Sequence, residues 1–124
     1  MTLDEYNGFC ASLPHADHVI QWGGAHVWKI GGKVFAIGGW DDGETLAVTF
    51  KCSPMSFDLL KHEPGIRPAP YLASRGMSWL QRYSDESMDD AVLKDYVQES
   101  HRLASLNLPK AVQKKLGLNQ ASEG

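Results

Sequence analysis

Between Lys51 and Arg82 the chain carries five cations, Lys51, Lys61, Arg67, Arg75 and Arg82, against two carboxylates, Asp58 and Glu63, with Tyr71 and Trp79 interleaved. Cations and aromatic rings in one segment can work together on a nucleic acid, the charges contacting phosphates while the rings stack on bases or sugars. The same residues also fit a solvated rim around a core tryptophan. A second, smaller basic cluster gathers Lys110, Lys114 and Lys115 with Arg102. The carboxylates concentrate in Asp85, Glu86, Asp89, Asp90, Asp95 and Glu99. Most of these fall at or before the first turn of an expected helix, where the dipole favours negative charge, so they need no metal to explain them.

Other chemistry finds little support. His15, His18, His26, His62 and His101 are scattered, and no two have the i, i+4 spacing that aims both imidazoles at one metal, although His26 can approach His18 across a hairpin. Ser100 and His101 are adjacent and so point about 100° apart on a helix, which is no nucleophile–base pair. The glycine pairs at 23–24, 31–32 and 38–39 lack the strand, lysine and helix of a phosphate loop and read as hairpin turns. Cys10 and Cys52 stand in no Cys-x-x-Cys pattern and read as buried free thiols. Neither a catalytic constellation, a metal nor a cofactor is expected.

The elements that must position these residues are legible in part. With 124 residues, 43% of them hydrophobic and a net charge of -3, the chain fits one globular domain (1–124), without a global basic field to draw it to nucleic acid or an anionic membrane. Any such binding needs a local patch. The acidic start and the lack of an apolar run of about 20 residues argue against a signal peptide or membrane span, and a cytoplasmic location is expected. Thr2-Leu3-Asp4-Glu5 has the form of a capping box, predicting a helix over residues 3–13 ended by Pro14. Strands are predicted over 18–22, 26–30, 33–38 and 45–51, with Gly31-Gly32 as the strongest turn, and the alternation in the last of them predicts a sheet with one buried face. Ser53-Pro54 begins a short helix expected to cover this meander. Residues 61–76, with three prolines and two glycines, read as an ordered surface loop. A strand over 77–83, a long helix capped by Ser87 and carrying Val92, Leu93, Tyr96, Val97, Ser100, Leu103 and Ala104 on one face, and a short helix over 109–116 complete the α+β domain, with a frayed tail at 118–124.

Trp22-Gly23, Gly32-Lys33-Val34-Phe35-Ala36, Lys51-Cys52-Ser53-Pro54, Pro64-Gly65-Ile66-Arg67-Pro68-Ala69-Pro70-Tyr71-Leu72, Trp79, and Ser100 followed by Leu103 occur in an order and spacing that resembles the MmcQ/YjbR family of small bacterial proteins. The resemblance implies a frataxin-like (CyaY-like) α+β sandwich, also compared with a double-wing fold, and a DNA-binding role that rests on fold analogy. It implies Trp22, Lys33, Lys51, Trp79 and Ser100 as signature residues. Many relatives carry a His and a Lys in the loop before the tryptophan and a Tyr after the helical serine; this chain has Leu72, Arg75 and His101 there. Frataxin-like iron binding does not carry over, because the first helix offers only Asp4 and Glu5. The expected function is a non-enzymatic domain, monomeric, that binds DNA through Lys51, Arg67, Tyr71, Arg75, Trp79 and Arg82. The alternative is a module for a protein or a small anionic ligand, with Trp22, Trp28 and Trp40 as an apolar hot spot.

Overall fold

The computed structural model describes residues 1–39, 46–70, 72 and 77–120. Its elements run α1 (Leu3–Ala11), β1 (Ala16–Gln21), β2 (Ala25–Ile30), β3 (Lys33–Gly38), β4 (Val48–Lys51), α2 (Pro54–Leu60), β5 (Ile66–Pro68), β6 (Trp79–Arg82), α3 (Asp90–Ser105) and α4 (Lys110–Leu116). The strands form one six-stranded antiparallel sheet in the order β1-β2-β3-β4-β6-β5. This is the expected α+β architecture, with α1 and α3 on one face of the sheet.

Local chemistry sets several boundaries. The capping box forms: Glu5 N–H donates to Thr2 Oγ1 at 3.1 Å while Thr2 N–H donates to Glu5 Oε1 at 2.9 Å. Ser53 caps α2 with Pro54 in its first turn. Gly31 and Gly32 have φ of 57° and 86°, the two positive values that a type I′ hairpin turn requires. Gly38 is different from its expected role as a turn residue. It lies inside β3, and a Cβ there would stand 2.6 Å from Tyr6 Cε2, so the glycine makes room for a ring that its hydroxyl anchors to His26 O at 2.8 Å.

Five expectations are corrected. The 61–76 segment is not all loop, because Ile66–Pro68 pairs with β6 as an edge strand, the position at which a proline does least harm to a ladder. The short α2 does not cover the meander: it has no buried residue, and Leu59 is 70% exposed. The cover is α3, whose Leu93, Val97, Ser100 and Ala104 are buried against Phe35, Phe50 and Leu80. Each large apolar side chain fully buried there stabilises the fold by about 1.5–3 kcal/mol. Its N-cap is Asp89, not Ser87. Both faces of β4 are buried rather than one, because Thr49 and Ala47 are covered as completely as Val48 and Phe50. On that outer face Ala25, Val27 and Ile37 form a second cluster, and Leu72, from the proline-rich segment, packs on it. Leu118 and Asn119 are not part of a frayed tail: Leu118 is in the core, and Asn119 Nδ2 donates to Ser105 Oγ and Gln113 Oε1, both at 2.9 Å.

Candidate functional site

Strand pairing decides which face each candidate residue occupies. Cys52 N–H donates to Ser78 O at 2.9 Å, which makes Cys52 and Ser78 a hydrogen-bonded pair and its neighbours Lys51 and Trp79 a non-hydrogen-bonded one. Their side chains therefore stand side by side on the outer face, away from α3, in the same row set as Thr49 and Gln81. Arg67 joins them from β5: its Nε–H donates to Gln81 Oε1 at 2.7 Å, its guanidinium lies 5.0 Å from the centre of the Tyr83 ring, and Gln81 Nε2 reaches Thr49 Oγ1 at 3.4 Å. By strand geometry Lys51 and Arg67 are about 12 Å apart at the backbone. Arg67 is exposed and Lys51 half-buried, whereas Thr49 and Gln81 between them are fully buried and offer nothing to a ligand.

Arg82 is a correction. It alternates with Gln81 and so points to the helix face, where it is 0% exposed; its Nη1 donates to Met88 O and to Asp90 Oδ1, both at 2.9 Å. A guanidinium held inside the core cannot contact a phosphate. The Asp90 carboxylate, desolvated in part, is nonetheless held below its usual range by hydrogen bonds from Arg82 and the Met1 amine. Trp79 is 5% exposed, so it buttresses the face and has no open ring for a base to stack on. Tyr71 and Arg75, like Trp40, lie outside the described residues. Tyr83, which sequence reasoning left unassigned, is the half-open aromatic of this face; its place two residues after Gln81 on the same side was the available signal.

Ser100 performs a structural task. Gly39 N–H donates to Ala47 O, and counting in steps of two from that bond, past the Ile37–Thr49 pair, makes the following rung of the β3–β4 ladder a bond from Lys51 N–H to Phe35 O. The serine hydroxyl takes that rung instead: it accepts from Lys51 N–H at 2.8 Å and donates to Phe35 O at 2.6 Å. A bulge in the β2–β3 pairing at Phe35 accompanies the gap. Of the other signature residues, Lys33 is exposed at the start of β3, and Trp22 is 51% exposed in the β1–β2 turn with φ of 53°.

Four of the histidines, His15, His18, His26 and His101, take part in hydrogen bonds. His18 Nε2 lies 3.0 Å from His26 Nδ1, and Asn7 Nδ2 approaches the same Nδ1 at 3.4 Å while Asn7 Oδ1 accepts from Trp28 Nε1 at 2.9 Å. This connectivity makes His26 Nδ1 the acceptor of both donors. Trp28 is thereby part of the core and not an exposed hot spot. Among the described residues no three His, Cys, Asp or Glu side chains gather. Burial pushes the Cys10 thiol up to about 12 and the Cys52 thiol to about 11, so neither is a nucleophile at neutral pH.

A pH dependence follows. Desolvation lowers the pKa of His101, buried with its Nε2–H donating to Pro14 O at 2.8 Å, and desolvation with the His26 charge lowers that of His18. The folded state then takes up protons later than the unfolded chain, so stability is fully present above the ordinary histidine value of about 6.5 and is lost as pH falls below it. Urea midpoints are expected to drop between pH 7.5 and 5.5, a window above the carboxylates, and His101→Gln, which keeps a donor for Pro14, should flatten the drop. A midpoint that does not change over this window would contradict it.

The YjbR family pattern matches residues 11–103, which span β1 to most of α3. This chain belongs to the YjbR family. Its fold is shared with the crystal structure of the Deinococcus radiodurans protein DR2400, a DUF419 domain, at 23% identity over 99% of this chain and 93% of that one, with a TM-score of 0.82. Among curated proteins none matches at a meaningful level. The YjbR match covers every element of the outer face, β4, β5 and β6, together with Ser100. Among the described residues of this YjbR chain, no helix is long and apolar enough to cross a membrane.

Proposed function

We propose that this YjbR chain is a non-enzymatic nucleic-acid-binding module whose outer sheet face contacts the phosphate backbone. The observation that carries the reading is the separation of charge between the two layers. Among the described strand residues of the outer face, Lys29, Lys51 and Arg67 stand against one carboxylate, Asp17. On the other side α1 and α3, with the Asp89 cap, carry Asp4, Glu5, Asp89, Asp90, Asp95 and Glu99 against Lys94 and Arg102. A chain of net charge -3 thus keeps a local excess of cations on this sheet face, where a polyanion would meet a local positive potential. Phosphate contacts of this type position a partner without reading sequence, which fits a face whose Thr49 and Gln81 amide and hydroxyl groups are already used on each other.

Alanine at Lys51 or Arg67 is expected to weaken binding about equally for all sequences and to reduce the salt slope by about one unit each. Fluorescence anisotropy of a labelled oligonucleotide at a series of salt concentrations measures this. A slope unchanged in both variants would remove the outer face from the contact.

The second reading, a protein-interaction module, is favoured by one observation: Ile20, at 58% exposure, and Trp22 sit at the open end of the edge strand β1. Binding through this patch would respond little to salt and would be lost in Ile20→Glu.

A further inference from the structure

Two imidazole nitrogens meet on the helix side of the β1–β2 hairpin. His18 stands opposite Trp28 and His26 opposite Ile20, so the two histidines are diagonal neighbours across the strands, on the face that carries α1. His18 Nε2 lies 3.0 Å from His26 Nδ1, in a contact exposed to solvent. The two ring planes differ by 15°, and His18 also lies flat on Trp28 with ring centres 4.7 Å apart, so a core residue holds its plane. Two nitrogens bound to one metal ion, at bond lengths of about 2.0–2.1 Å, are about 2.9 Å apart at a right angle and about 3.3 Å apart at a tetrahedral one. The observed separation falls within that range, and a tilt of the exposed His18 ring aims both lone pairs at one ion. His26 already turns its Nδ1 lone pair this way, since that atom accepts from His18. Asn7, held by Trp28 Nε1–H, presents its NH2 group 3.4 Å from the same Nδ1. That group only donates, so it serves a water or anion on the ion and is not itself a ligand.

We infer that His18 Nε2 and His26 Nδ1 form a two-imidazole site for a late first-row divalent metal ion such as Zn²⁺. Imidazole suits these ions, whereas Mg²⁺ and Ca²⁺ take oxygen ligands. On binding, the His18 proton passes from Nε2 to Nδ1 by way of solvent and His26 keeps its proton on Nε2, so both rings ligate as neutral bases. Among the described residues no third His, Cys, Asp or Glu joins the pair, which leaves the other positions of the ion to water or to a donor of an incoming molecule. Cys10 and Cys52 are buried and do not compete for the ion. The inference is independent of the phosphate-contacting outer face, because His18 and His26 alternate with Val19 and Val27 to the opposite side of the sheet.

The ring nitrogens are the readout. Zinc chloride is titrated into the full chain at pH 7.5, with magnesium chloride in parallel, and the histidine rings are followed by nitrogen-15 and carbon-13 NMR. The chain has five histidines, so the signals are few, and His18→Gln and His26→Gln assign two sets by their loss. The His18 and His26 signals are expected to shift together and to saturate at one Zn²⁺ per chain. They should do so well before those of His62, an exposed imidazole elsewhere on the chain. The largest shifts are expected at His18 Nε2 and His26 Nδ1, a pattern that two separate surface imidazoles would not produce. His18→Gln should weaken zinc binding by more than about tenfold, because even the loss of an outer-shell partner costs about that much. The His18 side chain is exposed, so this variant keeps the fold, which circular dichroism checks. A zinc midpoint unchanged in His18→Gln, saturation no earlier than that of His62, an equal response to Mg²⁺, or no shift at all would each overturn the site.

Discussion

Ser100→Ala is expected to destabilise the fold by about 2–4 kcal/mol, because the change strands two buried backbone groups at about 1–3 kcal/mol apiece. The hydroxyl is the inserted rung between Lys51 N–H and Phe35 O, and it sits in the middle of α3, so it ties the helix to both central strands at once. The methyl of alanine fills most of the volume and satisfies neither partner. Ser100→Cys should recover part of the loss, since a thiol is a weak donor and acceptor of larger size. Urea unfolding followed by circular dichroism measures both variants. A loss below about 0.5 kcal/mol in Ser100→Ala, within the range of ordinary surface changes, would mean that β3 and β4 close up and form the direct bond, and that the serine is replaceable.

Arg82→Ala is expected to cost about 3–5 kcal/mol, chiefly through the cavity left by a large side chain that is completely enclosed. Arg82→Met should recover most of that. Only Nη1 of the guanidinium is used, on Met88 O and Asp90, while Nε and Nη2 are buried without partners, and a buried charge so incompletely satisfied is readily matched by an apolar side chain of similar length. Asp90, exposed in part and in the first turn of α3, tolerates the loss of its partner through solvent and the helix dipole. If the methionine variant unfolds as easily as the alanine one, the ion pair and not the packing carries the contribution. The same methionine variant should bind oligonucleotide with an unchanged salt slope, which separates Arg82 from Lys51 and Arg67.

What could be read from the sequence was what short-range chemistry fixes. The Thr2/Glu5 box, the Ser53-Pro54 start and the Gly31-Gly32 turn each depend on residues within four positions of one another, and each forms as read. Strand β5 could not be read this way: three residues ending in Pro68 have no signal of their own and become a strand only by pairing with β6. The division of the basic segment between two faces was also hidden. Lys51 and Trp79 face one way and Arg82 the other because of pleat parity, and no composition of the 51–82 segment reports parity until the register with β4 is known. Had Leu80 and Arg82 been read as one side of an alternating strand, the apolar partner would have pointed Arg82 inward. Ser100 gave a usable sign, a polar residue within the apolar stripe of Leu93, Val97 and Ala104, although its partners, 49 and 65 residues away, were not legible. The outer face was expected to be open, and the Leu72 contact that helps to close it comes from a segment whose prolines indicate order without indicating where it docks.

The most direct test of the charge-polarised face is the salt dependence of oligonucleotide binding by the intact chain. Anisotropy of labelled single- and double-stranded DNA is measured from low to near-physiological salt, with Lys51→Ala, Arg67→Ala and Arg82→Met alongside. The expected result is saturable binding whose logarithm falls linearly with that of salt, with a slope that is shallower by about one unit in each of the first two variants and unaltered in the third. Absence of binding at low salt, or equal slopes in all four proteins, would contradict a phosphate-contacting outer face.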